Sequence, residues 1–254
     1  MNPNQLKLKL RNGQPAYGTF VKFDDPAAVE VLALSGLDFF VLDNEHVAMN
    51  RERLTNMIRA AEAFQITPLI RVKENQTVEI LQNLDLGFAG IQAPNIDTID
   101  QARNLVASVK YAPLGKRGFS PSVRACRYGT MDINAYIETS NDQTMVIAHC
   151  ETKECVSNLD EILTVPGLDV IFLGPMDLSQ SLGVTGQTNS PLVKDAMDQV
   201  MAKTLAANLT IGTVAPNAQA AKALTARGVK YILISSDQGM ILQWAKAVLK
   251  ELKG

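Results

Sequence analysis

The chain holds two histidines, and both lie close to carboxylates. His46 closes the run Asp43-Asn44-Glu45-His46, and His149 stands two positions before Glu151. A carboxylate beside an imidazole fixes its tautomer and suits it to general acid/base work. The plain alternative for either is a core or loop histidine with a satisfied hydrogen bond. Arg71 ends the apolar run Pro68-Leu69-Ile70, so its fork should point into a site. There it would suit a carboxylate or a polarised carbonyl. A structural ion pair with Asp43 or Glu45 is the competing use. Glu151 and Asp177 could form half of an octahedral oxygen site for Mg²⁺ or Mn²⁺, with substrate oxygens and water supplying the rest. Both could instead serve the positive ends of helices.

Other chemistries find less support. Lys22 and Lys73 lie near strand ends but are flanked by polar residues and read as solvated, which does not suit a Schiff-base amine. Cys150 should point away from His149 and Glu151 if its strand is regular, and no Cys/His spacing matches a zinc site. The Ser236-Asp237-Gln238-Gly239 turn offers one weak signal for phosphate at a helix N-terminus.

These residues need elements to position them. Eight short β-branched or aromatic runs read as strands: Ala16–Val21, Phe39–Asp43, Thr67–Val72, Gly90–Ala93, Met145–Cys150, Val170–Leu173, Thr210–Val214 and Tyr231–Ser235. Several are almost unbroken apolar stretches, as parallel strands covered on both faces should be. Helical patterns alternate with them over Pro26–Ser35, Asn50–Phe64, Thr77–Leu86, Asp97–Val109, Lys153–Leu163, Pro191–Ala207, Pro216–Arg227 and Gln238–Leu252. Eight βα units in 254 residues predict a (β/α)₈ TIM barrel, here one α/β domain over 1–254. A doubly wound open sheet is the alternative, weakened because no glycine-rich nucleotide turn follows the first strand. In a barrel the C-terminal strand ends build the active site. Asp43, His46, Arg71, His149, Glu151, Gly174-Pro175 and Asp177 all fall there. The stretch Tyr111–Asn141 breaks the rhythm and reads as a long irregular loop bearing Lys116, Arg117, Arg124 and Arg127.

Composition narrows the function classes. Lys and Arg number 24 against 26 Asp and Glu, a net charge of −2, so nothing points to nucleic acid or an anionic membrane as a partner. Hydrophobic residues make up 46% and charged ones 20%, which suits a large soluble core. No apolar run approaches the ~20 residues of a membrane span, and the start lacks a signal-peptide core. Three cysteines without paired spacing suit a reducing cytoplasm better than a disulfide framework.

Taken together, these stretches resemble the HpcH/HpaI aldolases, metal-dependent (class II) enzymes acting on pyruvate-type substrates. The likeness is carried by FFVLDNEHVAMN (Phe39–Asn50), TPLIRV (Thr67–Val72), GFAGIQAPNIDT (Gly87–Thr98), PLGKRGFSPSVRACRYG (Pro113–Gly129), the Glu-Thr of CETKE (Cys150–Glu154) and VPGLDVIFLGPMDLSQSLG (Val165–Gly183). The resemblance implies a barrel that assembles as a homo-oligomer, often a hexamer (a trimer of dimers), with the C-terminal helix (237–252) exchanged between neighbours. It implies Mg²⁺, Mn²⁺ or Co²⁺ on Glu151 and Asp177, completed by the carboxylate and keto oxygens of a 2-oxo acid. Arg71 would stabilise the enolate oxygen. His46, with Asp43, would act as acid/base, and Gly174 and Pro175 would lie against the keto acid. Asp85 would reach a neighbouring subunit's site.

The chain departs from that family in two places. Members usually carry Gln where His149 stands, close to the keto acid. A Pro-Pro-Trp-like stretch usually follows the Arg71 position, which here reads Val72-Lys73-Glu74-Asn75. The function so implied is cleavage of 4-hydroxy-2-oxo acids to pyruvate and an aldehyde. The wording YGTFVKF and LDNEHVAMN is also similar to a siderophore-pathway citrate synthase on the same barrel, which would join oxaloacetate to acetyl-CoA, with the basic loop as a candidate holder of the acyl carrier. A non-catalytic keto-acid-binding barrel is a third reading, since fold alone does not prove catalysis.

Overall fold

A computed structural model describes residues 3–254. Its eight strands are β1 (Ala16–Val21), β2 (Phe39–Asp43), β3 (Thr67–Arg71), β4 (Gly90–Ala93), β5 (Met145–Cys150), β6 (Val170–Leu173), β7 (Thr210–Ala215) and β8 (Tyr231–Ser236). Each pairs in parallel with the next, and β8 returns to β1, so the sheet closes as a barrel. That closure removes the open-sheet alternative. The strand boundaries match the sequence reading to within a residue.

Strand parity divides the core in two. Phe39 and Val41, Leu69, Met145 and Ile147, and Val170 and Phe172 fill the barrel interior, while Phe40 and Leu42, Ile70, Val146 and Ala148, and Ile171 and Leu173 pack outward under the helices. This is the period-two alternation of strands, with both faces apolar because both are covered. Small residues make room for large neighbours inside. A Cβ on Gly18 would meet the Phe39 ring at 2.6 Å, and one on Gly212 would meet the Tyr231 ring at 2.6 Å.

The helices are α1 (Gln5–Arg11), α2 (Pro26–Leu34), α3 (Arg51–Ala63), α4 (Thr77–Leu86), α5 (Ile99–Val109), α6 (Ile133–Gln143), α7 (Lys153–Ile162), α8 (Pro175–Ser181), α9 (Pro191–Ala206), α10 (Ala218–Ala226) and α11 (Asp237–Lys253). Two, α1 and α6, were not read from sequence, and α8 was raised only as the alternative use of Asp177. α1 and α8 have seven residues each, too short for a clear helical period. α1 is capped by Asn4 and sets Leu6 and Leu10 against the barrel interior. α6 corrects the expectation of an irregular Tyr111–Asn141. Asp132 caps this helix, and Tyr136 packs with Tyr111 and Cys126 in a small separate cluster.

The basic segment before α6 is also less free than expected. Arg117 pairs with Asp85 at 2.8 Å and lies over the Tyr111 ring, and Arg124 pairs with Glu62 and donates to the Leu86 carbonyl. Helices α4 and α5 run back from the C-terminal strand ends, so this segment sits on the N-terminal face of its own barrel. Asp85, near the end of α4, lies there too.

α11 packs poorly on its own barrel. Asp237 is its buried residue, while Ile241, Leu242, Trp244, Leu249 and Leu252 are exposed. Among the described residues, no helix is long and apolar enough to cross a membrane.

Candidate active site

Polar residues replace apolar ones where the inward-facing ladder reaches the C-terminal strand ends. Counting by twos, Phe39 and Val41 lead to Asp43, Leu69 to Arg71, Met145 and Ile147 to His149 and Glu151, and Val170 and Phe172 to Gly174. The register sets Asp43 beside Arg71 and Arg71 beside Gln92. Cys150 has the opposite parity and packs in the outer core with Cys155, as its position predicted.

Asp43 is fully buried and accepts a two-pronged bond from Arg71, Nε to Oδ1 at 3.1 Å and Nη2 to Oδ2 at 2.8 Å. It also accepts the His46 backbone N–H at 3.2 Å. Lys22 Nζ stands 3.3 Å from Oδ2, so this lysine is not the solvated side chain its neighbours suggested. Burial pushes the Asp43 carboxyl up, but the Arg71 fork, the His46 N–H and Lys22 outweigh it and hold the group below its ordinary value. Arg71 Nη1 meets Glu45 at 3.0 Å, and the guanidinium lies 4.7 Å over the Phe20 ring. Burial raises the Glu45 carboxyl against the pull of Arg71, and nearby Glu151 adds to the rise. The ion-pair reading of Arg71 is therefore present in the structure. Asp43 and Glu45 together engage Nε, Nη1 and Nη2, fixing the guanidinium in one position.

His46 is exposed on the loop after β2. Its backbone, not its ring, contacts Asp43. No hydrogen bond to the ring is found among the described residues. Asp43 thus shapes the loop that carries His46 and leaves its ring unengaged.

Glu151 is 3% exposed. Its Oε1 accepts the Asn95 N–H at 3.0 Å, and Oε2 lies 2.8 Å from His149 Nδ1. Burial alone would raise its pKa, yet the His149 ring, the Asn95 N–H and Arg71 together hold it below the ordinary value. The carboxylate is therefore charged at neutral pH. Gly174 stands directly beside it: a Cβ there would come within 2.5 Å of Oε2. Asp177 follows three residues later in the first turn of α8, exposed and without a side-chain partner among the described residues.

This donor set fits a hard divalent cation. It offers one buried carboxylate, a gap kept open by a missing side chain, and one unpartnered carboxylate three residues beyond that gap in the first turn of α8. No group of three His, Cys, Asp or Glu residues gathers among the described residues, so water and substrate oxygens would complete the shell. The phosphate reading of Ser236–Gly239 is corrected. Ser236 Oγ takes the Gly239 N–H, and the buried Asp237 accepts from the Lys22 and Phe23 N–H groups. Sequence reasoning missed Lys22 as a cation of the mouth and the buried bonds that Gln92, a polar residue at the end of its strand, makes to His149 and Tyr231 inside the barrel. Both residues lie on the inward parity, a signal that could have found them.

The Asp43–Arg71 pair generates a stability prediction. Asp43→Ala leaves a buried guanidinium without its main partner and should cost about 3–5 kcal/mol in urea unfolding. A carboxyl with a depressed folded pKa stabilises above its unfolded pKa near 3.9, and that stabilisation is lost as pH falls through the folded value. Wild-type stability should therefore fall below about pH 4, with a shallower acid slope in Asp43→Ala. Equal slopes and an unchanged midpoint would show that the pair contributes nothing.

Comparison with known proteins agrees with this geometry. The family model for HpcH/HpaI aldolase/citrate lyase matches residues 16–243. A hydroxypyruvate/pyruvate aldolase of Delftia acidovorans is 32% identical, covering 97% of this chain and 91% of its own. A 4-hydroxy-2-oxo-heptane-1,7-dioate aldolase of Shigella sonnei is 31% identical, covering 96% and 93%. Among solved structures, citrate synthase SbnG superposes with a TM-score of 0.89 at 35% identity, covering 98% of this chain and 97% of its own. The chain belongs to the HpcH/HpaI aldolase/citrate lyase family.

Proposed function

We propose that the protein is a divalent-metal-dependent aldolase that cleaves 4-hydroxy-2-oxo acids to pyruvate and an aldehyde. The observation that supports this reading is the buried Glu151 carboxylate against Gly174, the residue that opens the helix whose first turn carries the unpartnered Asp177. Mg²⁺, Mn²⁺ or Co²⁺ held by Glu151 and Asp177 would polarise the keto oxygen and offset the negative charge that develops there. Arg71, held by Asp43 and Glu45, directs a second positive group at the enolate oxygen without having to reorganise. Gly174 and Pro175 form the wall against which the planar keto acid lies, and His149 borders it. His46 takes the proton from the 4-hydroxyl as the carbon–carbon bond breaks and the aldehyde leaves; the enolate then takes a proton at its carbon, from the imidazolium or from water, to leave as pyruvate.

A second reading has its own support. Lys22 adds a cation beside Arg71, as a substrate with a second carboxylate would require, and a citrate synthase is among the similar structures. Under it the protein would condense oxaloacetate with acetyl-CoA. The basic segment lies on the far face of its own barrel, so a Lys116–Arg127 segment holding the acyl carrier at this mouth would have to be another subunit's.

The exposed apolar face of α11 supports a homo-oligomer, a hexamer built as a trimer of dimers, in which this helix packs on a neighbour. Asp85 contributes to a neighbouring site in that assembly if its pair with Arg117 opens. Three free buried cysteines suit a cytoplasmic setting.

Three outcomes test these proposals. Pyruvate and an aldehyde with Mn²⁺ should give a 4-hydroxy-2-oxo acid, lost with EDTA, and Glu151→Gln should lower kcat/KM by about 10²–10³. No product with any keto acid, together with thiol release from acetyl-CoA and oxaloacetate, would transfer the assignment to the synthase reading. Gly174→Ala should push the Glu151 carboxylate aside and lower kcat/KM by about 10², while the far-ultraviolet spectrum stays that of the wild type; full activity would show that the gap is not used. Trp244, the sole tryptophan and 71% exposed in the single chain, should show blue-shifted emission in an oligomer and solvent-like emission in Leu242→Glu, which should elute at lower mass. A single-chain mass for the wild type would contradict the exchanged helix.

A further inference from the structure

Below the mouth, side chains from three strands join Glu151 in one line of hydrogen bonds. Tyr231 Oη donates to Gln92 Oε1 at 2.8 Å. Gln92 Nε2 lies 2.6 Å from His149 Nε2, and His149 Nδ1 lies 2.8 Å from Glu151 Oε2. All four residues are buried. Phe172 stacks on the imidazole at 4.7 Å, and Tyr231 packs against both Phe39 and Phe172. Tyr231, Gln92 and His149 have no access to water for an alternative partner.

The line has a direction. Burial pushes the Tyr231 phenol well above its ordinary value, so it keeps its proton. That proton meets one acceptor among the described residues, Gln92 Oε1. The Gln92 amide must therefore turn its NH₂ toward His149. At 2.6 Å the facing Nε2 has to be an acceptor, because two N–H groups cannot oppose each other there. A neutral ring with a bare Nε2 carries its proton on Nδ1, which faces the Glu151 carboxylate. An imidazolium would attract Glu151 more strongly, but its Nε2–H would face the amide nitrogen. Turning the amide over would then leave the buried phenol proton without an acceptor, at a cost. The opposite neutral tautomer would set a bare nitrogen against a carboxylate oxygen.

We infer that Tyr231 and Gln92 are positioning residues that lock His149 in its Nδ1–H tautomer. His149 then donates to Glu151 Oε2 while the Asn95 N–H holds Oε1, so the carboxylate has one orientation toward the mouth. The relay makes a prediction for a glutamine at position 149. A glutamine offers the same sequence of groups, with an NH₂ for Glu151 and a carbonyl for Gln92. The consequence for Glu151 as a metal ligand rests on the function proposed above; the tautomer does not. Partners that orient a ligand in this way are typically worth about 10–100-fold in metal affinity.

The test begins with metal-free protein carrying ¹⁵N-labelled histidine. With two histidines in the chain, His46→Ala assigns the spectrum. Long-range ¹H–¹⁵N correlations should show His149 protonated on Nδ1 and bare on Nε2. Tyr231→Phe loses only a hydroxyl, and should give a mixture of tautomers and weaken Mn²⁺ binding, read by electron paramagnetic resonance, by about tenfold. His149→Gln should keep the wild-type Mn²⁺ affinity, and His149→Leu should lose about 10–100-fold. A wild-type ring protonated on Nε2 would overturn the relay. A tautomer unchanged in Tyr231→Phe would overturn the roles of Tyr231 and Gln92. An Nδ1–H ring in a protein that binds no Mn²⁺ would support the relay and overturn the metal reading instead.

Discussion

The structure depends on keeping one carboxylate charged inside a barrel. Taking an isolated carboxylate out of water is costly enough that most such groups take up a proton instead. Glu151 escapes that outcome because it accepts from the Asn95 N–H and faces the His149 ring, with Arg71 adding positive potential. The charge is held in place before any ligand arrives. A cation bound there replaces water without requiring the protein to reorganise, the condition under which electrostatic stabilisation is most effective.

The rest of the mouth solves the same problem for the opposite sign. Arg71 is nearly as buried as Glu151, and its charge is balanced by Asp43 on one side and Glu45 on the other. A guanidinium fixed by two carboxylates cannot collapse onto Glu151 and neutralise it. The closed sheet makes this separation possible: charged ends come from β2 and β3 on one arc and from β5 and β6 on another, with apolar rungs beneath both. Local unfolding at either arc would expose the interior packing, so the site and the core stabilise each other.

Much of this was legible in the sequence. The apolar strand runs and their spacing specified eight βα units, their C-terminal ends gathered Asp43, Arg71, His149 and Glu151, and parity within one run set Cys150 on the face opposite His149 and Glu151. Short helices were not legible: α1 and α8 are too brief to show a period and depend on tertiary contacts and caps. Nor was α6, because its apolar residues face a small satellite cluster around Tyr136 rather than the main core. Long-range partners were beyond reach as well. Nothing local to Gln92 or Tyr231 says that they meet across the barrel, since that contact exists only once the sheet has closed. Nor does the sequence alone say on which face of the barrel the basic segment and Asp85 lie, because the direction in which a helix returns is a property of the closed fold.

A crystal grown with Mn²⁺ and pyruvate tests the central claim most directly. The account predicts one anomalous peak per chain, bridging the Glu151 and Asp177 carboxylates, with the keto acid completing the shell and its oxygen turned toward Arg71. A well-ordered keto acid with no metal beside Glu151, or a metal held by other residues, would contradict it.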